Sequence, residues 1–186
     1  MQTPDSTSPA AMVIVGAGHC GGRAALALRT AGWQAAIHLV GDEPHHPYER
    51  PPLSKDLLTG DKTAEACALL SDADLLDARI TRHVARVTSI DATAHSLTLS
   101  DGKTLAYQSL LLATGGKVRR LRIPGGDLPE VMTLRNLGDA AALTQRPALL
   151  DVGVPASGSY RVGEPRRAAQ EEGQGERHWQ VARTDV

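Results

Sequence analysis

Residues 13–21 read Val-Ile-Val-Gly-Ala-Gly-His-Cys-Gly, an apolar run that leads into three glycines at the spacing G-x-G-x-x-G. The run predicts a strand over 12–15 and a turn over 16–22, and the Ala/Leu-rich stretch 23–30 predicts a helix. A second apolar segment, 36–40, completes a strand–turn–helix–strand unit of about 30 residues, the size of one βαβ unit. This stretch therefore predicts an α/β fold whose first turn binds phosphate.

Each glycine of the turn answers a different steric demand. Gly16 permits the tight turn, Gly18 lets the backbone approach a pyrophosphate, and Gly21 lets the helix pack closely on the strand. The helix N-terminus offers free N–H groups and a positive dipole end to the phosphates, with Cys20 contributing through its N–H. A glycine-rich turn of some other α/β protein is the alternative, but the flanking strand and helix favour dinucleotide binding.

Two acids follow at the distance that dinucleotide binding requires. Asp42 and Glu43 stand 21 and 22 residues after Gly21. A carboxylate there accepts hydrogen bonds from ribose hydroxyls and repels a 2′-phosphate, so FAD or NAD is favoured over NADP.

The remaining sequence predicts a small antiparallel insertion and a further parallel strand. Asp101-Gly102 is a hairpin signal, and the apolar run 109–113 is typical of a buried parallel strand. The predicted fold class is α/β, a Rossmann-like parallel sheet with one βαβ unit and a small antiparallel β insertion. Its other expected elements are strands over 84–90, 96–99 and 104–106, helices over 53–58, 64–77 and 136–143, and a loop over 121–134.

Composition excludes several classes of function. The chain has 186 residues and a net charge of −1, which provides no field to attract nucleic acid or an anionic membrane. No apolar run approaches the length of a membrane span, and residues 1–11 carry no signal peptide pattern. Cys20 and Cys67 are far apart, which disfavours a redox dithiol, a zinc site or a disulfide and favours free thiols in a reducing cytoplasm. His45-His46 has no acidic cluster beside it, so no metal is expected.

Arg50 and Lys55 flank Pro51-Pro52 on a proline-rich loop. They are either two solvated charges or positive groups beside a cofactor's phosphates or redox ring. A cation at a flavin would stabilise its anionic reduced form. The spacing alone does not choose between these readings.

Residues 12–145 resemble the N-terminal FAD-binding half of oxygenase-coupled NADH:ferredoxin reductases, of the putidaredoxin reductase and Rieske dioxygenase reductase type. This family passes hydride from NADH to FAD and then single electrons to a small iron–sulfur protein. Disulfide reductases of the wider superfamily carry a redox cysteine pair where this chain has Arg-Pro-Pro-Leu-Ser-Lys. The matching stretches are Ile14–Gly21, Leu39–Glu43, Tyr48–Lys55, Val87–Asp91, Leu110–Gly115 and Leu134–Ala140.

The resemblance implies a role for each of twelve residues. Gly16, Gly18, Cys20 and Gly21 would hold the FAD pyrophosphate, and Asp42, with Glu43 nearby, would hold the adenosine ribose. Residues later in the chain would contact the flavin ring and the rest of the cofactor. Lys55 would lie beside the flavin with Arg50 close, Val87 would contact the adenine end through its backbone, Thr114-Gly115 would form the second crossing at the cofactor, and Arg135 would reach the flavin.

The chain departs from the family after Gly115, where Gly116-Lys-Val-Arg119 replaces the usual Ala-Arg-Pro-Arg. It also carries no readable NADH-binding domain, second glycine fingerprint or C-terminal interface domain. We therefore expect a truncated module without catalytic residues and without NADH-driven turnover. A stand-alone FAD- or nucleotide-binding module and a non-functional fragment are the alternatives, and an NAD-dependent dehydrogenase is disfavoured.

The expected organisation has three parts: a disordered N-terminus over 1–11, an FAD-binding domain over 12–145 and an unstructured tail over 146–186. Periodicity is lost after about residue 145, and 151–186 is rich in Gly, Arg, Glu and Gln. Codons for Tyr160-Arg-Val-Gly-Glu164, read one nucleotide later, permit Ile-Gly-Leu-Glu, the family's opening of the NADH-domain helix. We interpret the tail as an out-of-frame translation, which the nucleotide sequence can test.

Overall fold

The computed structural model describes residues 11–145. The predictions for the N-terminus over 1–11 and for the tail over 146–186 lie outside these residues, except at Ala11. Ala11 is buried, and its carbonyl accepts hydrogen bonds from the N–H groups of Gln108 and Ser109. The described fold therefore includes one residue more than the predicted N-terminal boundary.

Within this range the strands form two sheets. They are β1 (Met12–Val15), β2 (Ile37–Gly41), β3 (Ile80–Val84), β4 (Val87–Asp91), β5 (Ser96–Leu99), β6 (Thr104–Ala106) and β7 (Ser109–Leu112). Four of them make a parallel sheet in the order β3–β2–β1–β7, and three make an antiparallel sheet in the order β4–β5–β6. This confirms the predicted α/β fold with a small antiparallel insertion.

Helix α1 (His19–Thr30) covers one face of the parallel sheet. Ala25 of the helix is fully buried there with Ile14 and Leu39 of the sheet. The helix begins four residues before the predicted start at Arg23. Gly21 and Gly22 are already helical and buried, because close packing on the sheet outweighs their low helix propensity.

The antiparallel sheet covers the opposite face. Side chains alternate between the two faces of β1 and β2, so Val13, Val15 and Val40 point away from α1, as expected for strands buried on both faces. These three valines form one buried cluster with Leu97, Leu99 and Tyr107.

The predicted single strand over 84–90 is wrong. β3 ends at Val84 in the parallel sheet, and β4 begins at Val87 in the antiparallel one. The N–H of Ala85 still bonds the carbonyl of Gly41, whereas the N–H of Arg86 donates to the Ser100 hydroxyl. The chain changes hydrogen-bonding partners here, and an alternating pattern of apolar and polar residues does not reveal such a change.

The predicted helix over 64–77 is also wrong in its first half. Residues Glu65–Cys67 form a 3₁₀ turn, and Ala68 pairs with Tyr48 in an antiparallel bridge. Helix α3 spans only Asp72–Asp77, and Ser71 caps it in a capping box with Asp74. Contacts with the distant segment around Tyr48 replace the local helical bonds.

The remaining helices are short. The predicted helix over 53–58 is wrong in its first half, because Pro51–Ser54 is a 3₁₀ turn and the chain breaks at Lys55. Helix α2 spans only Asp56–Thr59 and ends at a Gly60 cap in the left-handed region. Helix α4 (Leu137–Thr144) starts at an Asn136 cap. A third buried cluster joins α4 to this loop region through Tyr48, Leu53, Cys67, Leu137 and Ala140.

β7 lies at the edge of the parallel sheet and is only partly buried. Its residues are partly buried and Leu112 is 60% exposed, so the predicted parallel strand is present but the prediction that it is buried is wrong. Residues 113–136 form no helix or strand. Among residues 11–145, no helix has the length and apolar character needed to cross a membrane.

Candidate functional site

The carboxyl ends of three parallel strands meet at one edge of the sheet. β1 lies between β2 and β7, so the chain leaves β1 toward one side and later returns on the other. The N–H of Gly16 bonds the Val40 carbonyl, and the N–H of Ala113 bonds the Val15 carbonyl, each at 2.7 Å. Such a switch point in strand order is where open α/β sheets bind ligands.

A cleft of about 250 Å³ opens at this edge. Its walls come from the turn after β1, the loop after β2, the chain that follows β7 and two arginines from elsewhere. They comprise Gly16, Ala17, Gly18, His19, Cys20, Gly41, Asp42, Glu43, Arg50, Ala113, Thr114, Gly115 and Arg135.

Two glycines of the turn are required by the fold itself. Gly16 has φ +115°, and a β-carbon built on it would overlap the carbonyl oxygen of Ala113. A β-carbon on Gly21 would overlap the carbonyl oxygen of Gly16. Both glycines therefore bring backbone segments together at the base of the cleft.

Gly18 differs from both, because nothing in the fold requires it to be glycine. Its φ is −91° and its ψ is −163°, extended values that any residue adopts. A β-carbon there would come no closer than 3.6 Å to the chain, at the Arg50 guanidinium. The space beside Gly18 is therefore open cleft.

The N-terminus of α1 faces this space without a capping side chain. Gly18 is the cap residue, no side chain among residues 11–145 caps the helix, and the first turn contains no acid. The leading N–H groups of a 12-residue helix and its positive dipole end are thus available to an anion.

The two acids at the end of β2 have different partners. Asp42 pairs with Arg86 at 2.9 Å, and both side chains are largely exposed. Glu43 uses both carboxylate oxygens within the protein: one accepts from Arg50 at 2.9 Å and the other from the Tyr48 hydroxyl at 2.5 Å. Arg82 fixes the loop backbone by donating to the carbonyls of Glu43 and His45.

Arg50 and Arg135 place two positive charges at the cleft. The Arg50 guanidinium also donates to the Arg135 carbonyl at 2.5 Å and lies 5.4 Å from the centre of the Tyr48 ring. The Arg135 guanidinium lies close to the backbone of Gly115, where a β-carbon would be 2.9 Å from it. Each arginine therefore stands beside one of the glycines that form the walls.

Tyr48 is the buried member of this group. Its hydroxyl donates to Glu43 and accepts from the N–H of Leu137 at 3.3 Å. Burial, with the neighbouring Glu43 carboxylate, raises the pKa of Tyr48 to about 12. The hydroxyl therefore keeps its proton and remains a donor at neutral pH.

Nine of the twelve sequence-predicted site residues line the cleft. Gly21 lies beneath it as a packing residue, Lys55 is exposed at the start of α2, and Val87 is half-buried against the core cluster in β4. Four lining residues were not predicted: Ala17, His19, Gly41 and Ala113. Each one adjoins a predicted residue in sequence, so proximity to the motifs was the signal that could have found them.

Residues 11–145 supply neither a cysteine pair nor a cluster of metal ligands to this site. Cys20 is exposed at the cleft and Cys67 is buried in the α4 cluster, and both are free thiols. No group of three or more His, Cys, Asp or Glu side chains in the described range could hold a metal ion.

Comparison with known proteins matches this chain to one family over most of its length. The model of the family described as pyridine nucleotide-disulphide oxidoreductase matches residues 10–154. The biphenyl dioxygenase system ferredoxin–NAD(+) reductase component of Paraburkholderia xenovorans (strain LB400) is 43% identical over 135 residues, 72% of this chain and 33% of that protein. Rhodocoxin reductase of Rhodococcus erythropolis is 44% identical over 138 residues, 74% of this chain and 32% of that protein.

Solved structures agree with these relatives. The reductase in the covalent putidaredoxin reductase–putidaredoxin complex superposes with a TM-score of 0.68 at 37% identity, covering 73% of this chain and 33% of that chain. This chain spans about a third of the length of the curated relatives that it matches.

Proposed function

Because the chain belongs to the pyridine nucleotide-disulphide oxidoreductase family, we propose that residues 12–145 bind FAD as the flavin-binding part of an NADH-dependent ferredoxin reductase. The observation that carries the proposal is Gly18. Its backbone conformation suits any residue, and a β-carbon there would contact only the Arg50 guanidinium, at 3.6 Å. The glycine therefore leaves space for a group that approaches this backbone closely, as a pyrophosphate does in dinucleotide sites.

The groups around Gly18 suit the adenosine diphosphate half of FAD. The uncapped N-terminus of α1 and the guanidinium groups of Arg50 and Arg135 supply donors and positive charge for two phosphates. Asp42, at the end of β2, supplies the carboxylate for a ribose. A cleft with these donors fits the group.

Two of the remaining predicted contacts line the same cleft, since Thr114 and Gly115 form part of its wall after β7. Lys55 is exposed outside the cleft lining, and in this proposal it would lie beside the flavin ring. Val87 would contact the adenine end through its backbone. Bound FAD supplies hydride and single-electron chemistry that protein side chains lack.

The names of the relatives indicate the wider activity. The matched proteins are named ferredoxin–NAD(+) reductases or form a complex with putidaredoxin. We therefore infer NADH as the electron donor and a ferredoxin-type iron–sulfur protein as the acceptor. The two free cysteines fit a reducing cytoplasm and give no support to dithiol chemistry.

The test is FAD binding by the purified full chain, followed by flavin absorption after desalting and by titration. We expect a retained flavin band in the wild type. Gly18→Val fills the space for the phosphates and should weaken FAD binding by about tenfold or more. Gly116→Val is the matched control, because a β-carbon at Gly116 meets nothing within 4 Å.

Absence of flavin binding by the folded wild-type chain would refute the proposal. Equal FAD affinity of Gly18→Val and the wild type would remove the observation that carries it. FAD retention without reduction by NADH would agree with the expectation of a flavin-binding part without NADH-driven turnover.

A further inference from the structure

We propose that Glu43 and Tyr48 form a positioning clamp for the two arginines of the cleft, and that Glu43, although adjacent to the proposed ribose acid Asp42, does not itself bind the ribose. This inference rests on the proposed nucleotide site. The positions of Asp42 and Glu43 in the sequence allow either acid to bind a ribose, and this inference assigns them different roles.

Both carboxylate oxygens of Glu43 already have a partner within the protein, so a ribose hydroxyl would have to share an oxygen with one of these partners. One carboxylate oxygen accepts from Arg50 at 2.9 Å and the other from Tyr48 at 2.5 Å. The Glu43 and Arg50 side chains are 32% and 29% exposed, so this charged pair is partly withdrawn from solvent. Charge-assisted hydrogen bonds of this kind are about twice as strong as neutral ones.

Tyr48 anchors the clamp in the core. It is 3% exposed and packs in the buried cluster with Leu53 and Leu137. Its hydroxyl connects the Glu43 carboxylate to the N–H of Leu137 at the start of α4. The clamp thus holds the loop after β2 against α4, a helix that begins 94 residues after Glu43 in the chain.

The clamp extends to both arginines. Arg50 lies between Glu43 and the Arg135 carbonyl, to which it donates at 2.5 Å. The Arg50 guanidinium also borders the open space beside Gly18, where a β-carbon would lie 3.6 Å from it. Releasing Glu43 would therefore free Arg50 and remove one of the bonds that fix the backbone of Arg135.

Asp42, unlike Glu43, is only weakly held within the protein. Its one ion pair within residues 11–145 is with Arg86; both side chains are solvent-exposed, and such pairs contribute little to stability. Its second carboxylate oxygen has no hydrogen bond to any of residues 11–145. Asp42 can therefore accept from a ribose at little cost.

The experiment compares ADP with 2′-deoxy-ADP by calorimetric titration of the full chain. ADP contains the phosphates and the ribose but no flavin, so it tests this half of the site alone. Asp42→Asn and Glu43→Gln are adjacent, isosteric changes and act as controls for each other. We expect the wild type to prefer ADP, Asp42→Asn to lose the preference, and Glu43→Gln to keep it.

Tyr48→Phe tests the clamp without changing any charge. We expect it to weaken both nucleotides by the same factor, about tenfold. In an Arg50→Gln background the same change should have no further effect, because its action passes through Arg50. A merely structural role for Tyr48 would weaken binding equally in both backgrounds.

Loss of the ADP preference in Glu43→Gln, or its retention in Asp42→Asn, would overturn the division of roles. An undiminished Tyr48→Phe effect in the Arg50→Gln background would overturn the clamp. Failure of the wild type to bind either nucleotide would refute the proposed function and this inference with it. If Tyr48→Phe does not fold, Arg50→Lys replaces it and should weaken both nucleotides while keeping the ADP preference; loss of that preference would overturn the clamp.

Discussion

Gly21, in the first turn of α1, packs directly on the carbonyl oxygen of Gly16, just after β1. A β-carbon on Gly21 would overlap that oxygen. The contact sets the angle at which the helix N-terminus meets the cleft. The obstacle is backbone, which cannot rotate away as a flexible side chain can.

Gly21→Ala should therefore destabilise the fold by about 2 kcal/mol, in the range of overpacked core substitutions. Urea unfolding followed by circular dichroism measures this as a lower midpoint at unchanged slope. Gly116→Ala is the control, since no atom lies within 4 Å of its β-carbon position and its φ is not positive. Equal midpoints for the two variants would contradict the packing argument.

Arg29 is a hub between α1 and the connection from α3 to β3. Its guanidinium donates to four backbone carbonyls, those of Trp33, Ala35, Ala78 and Arg79, at 2.5 to 2.8 Å. Arg29→Met keeps the apolar stem and removes all four bonds, so we expect a loss of about 2 kcal/mol in unfolding free energy.

Arg23→Met in the same helix is the matched control for Arg29. Its only ion pair within the described part of the chain, with Glu49, is 3.9 Å long and exposed, and such pairs contribute about 0–1 kcal/mol to stability. The Arg29 interpretation fails if both variants unfold at the same urea concentration.

Stability should fall in mild acid because of a histidine pair in the sheet. His38 Nδ1 and His83 Nε2 lie 3.0 Å apart on the neighbouring strands β2 and β3. Burial lowers the pKa of both imidazoles below the ordinary 6.5, and for His83 the neighbouring His38 and Lys103 lower it further, against Asp101.

Below about pH 6.5 these two histidines therefore bind more protons in the unfolded chain than in the folded chain. The free energy of unfolding decreases as pH falls through that value. Above it the effect is absent. His83→Gln should show a smaller loss between about pH 8 and pH 5 than the wild type. His45→Gln, at an exposed position, should follow the wild-type curve; a His83→Gln curve that also does so would refute the assignment.

Cys20 should react with a thiol reagent and be protected by nucleotide. It is exposed and lines the cleft, whereas Cys67 is buried, and burial raises the pKa of the Cys67 thiol. We expect alkylation of Cys20 alone in the folded chain, slowed by FAD or ADP, with Cys67 reacting only after unfolding. Cys20→Ser should bind ADP normally, because the proposed contact is through the backbone N–H. Alkylation of Cys20 at the same rate with and without nucleotide would place the ligand elsewhere.

Local signals predicted much of the fold. The glycine turn, the hairpin at Asp101-Gly102 and the start of α4 depend on residues a few positions apart, and all three occur where the sequence indicates. The split of 84–90 into two strands and the loss of helix over 64–71 depend on distant partners, Ser100 and Tyr48. Periodicity reports which face of a segment is apolar and does not report which strand lies next to it.

The sequence by itself determined that a βαβ unit with a glycine turn is present, and it predicted Asp42, Glu43, Arg50, Lys55 and Arg135 as the charged site residues, because glycine spacing and motif order are local properties. Only the tertiary structure decided what each charge does. Glu43 is held by Tyr48 and Arg50 while Asp42 keeps a free oxygen. Adjacent residues at the end of a strand point in different directions, and which of them meets a partner depends on chain segments that folding alone brings there.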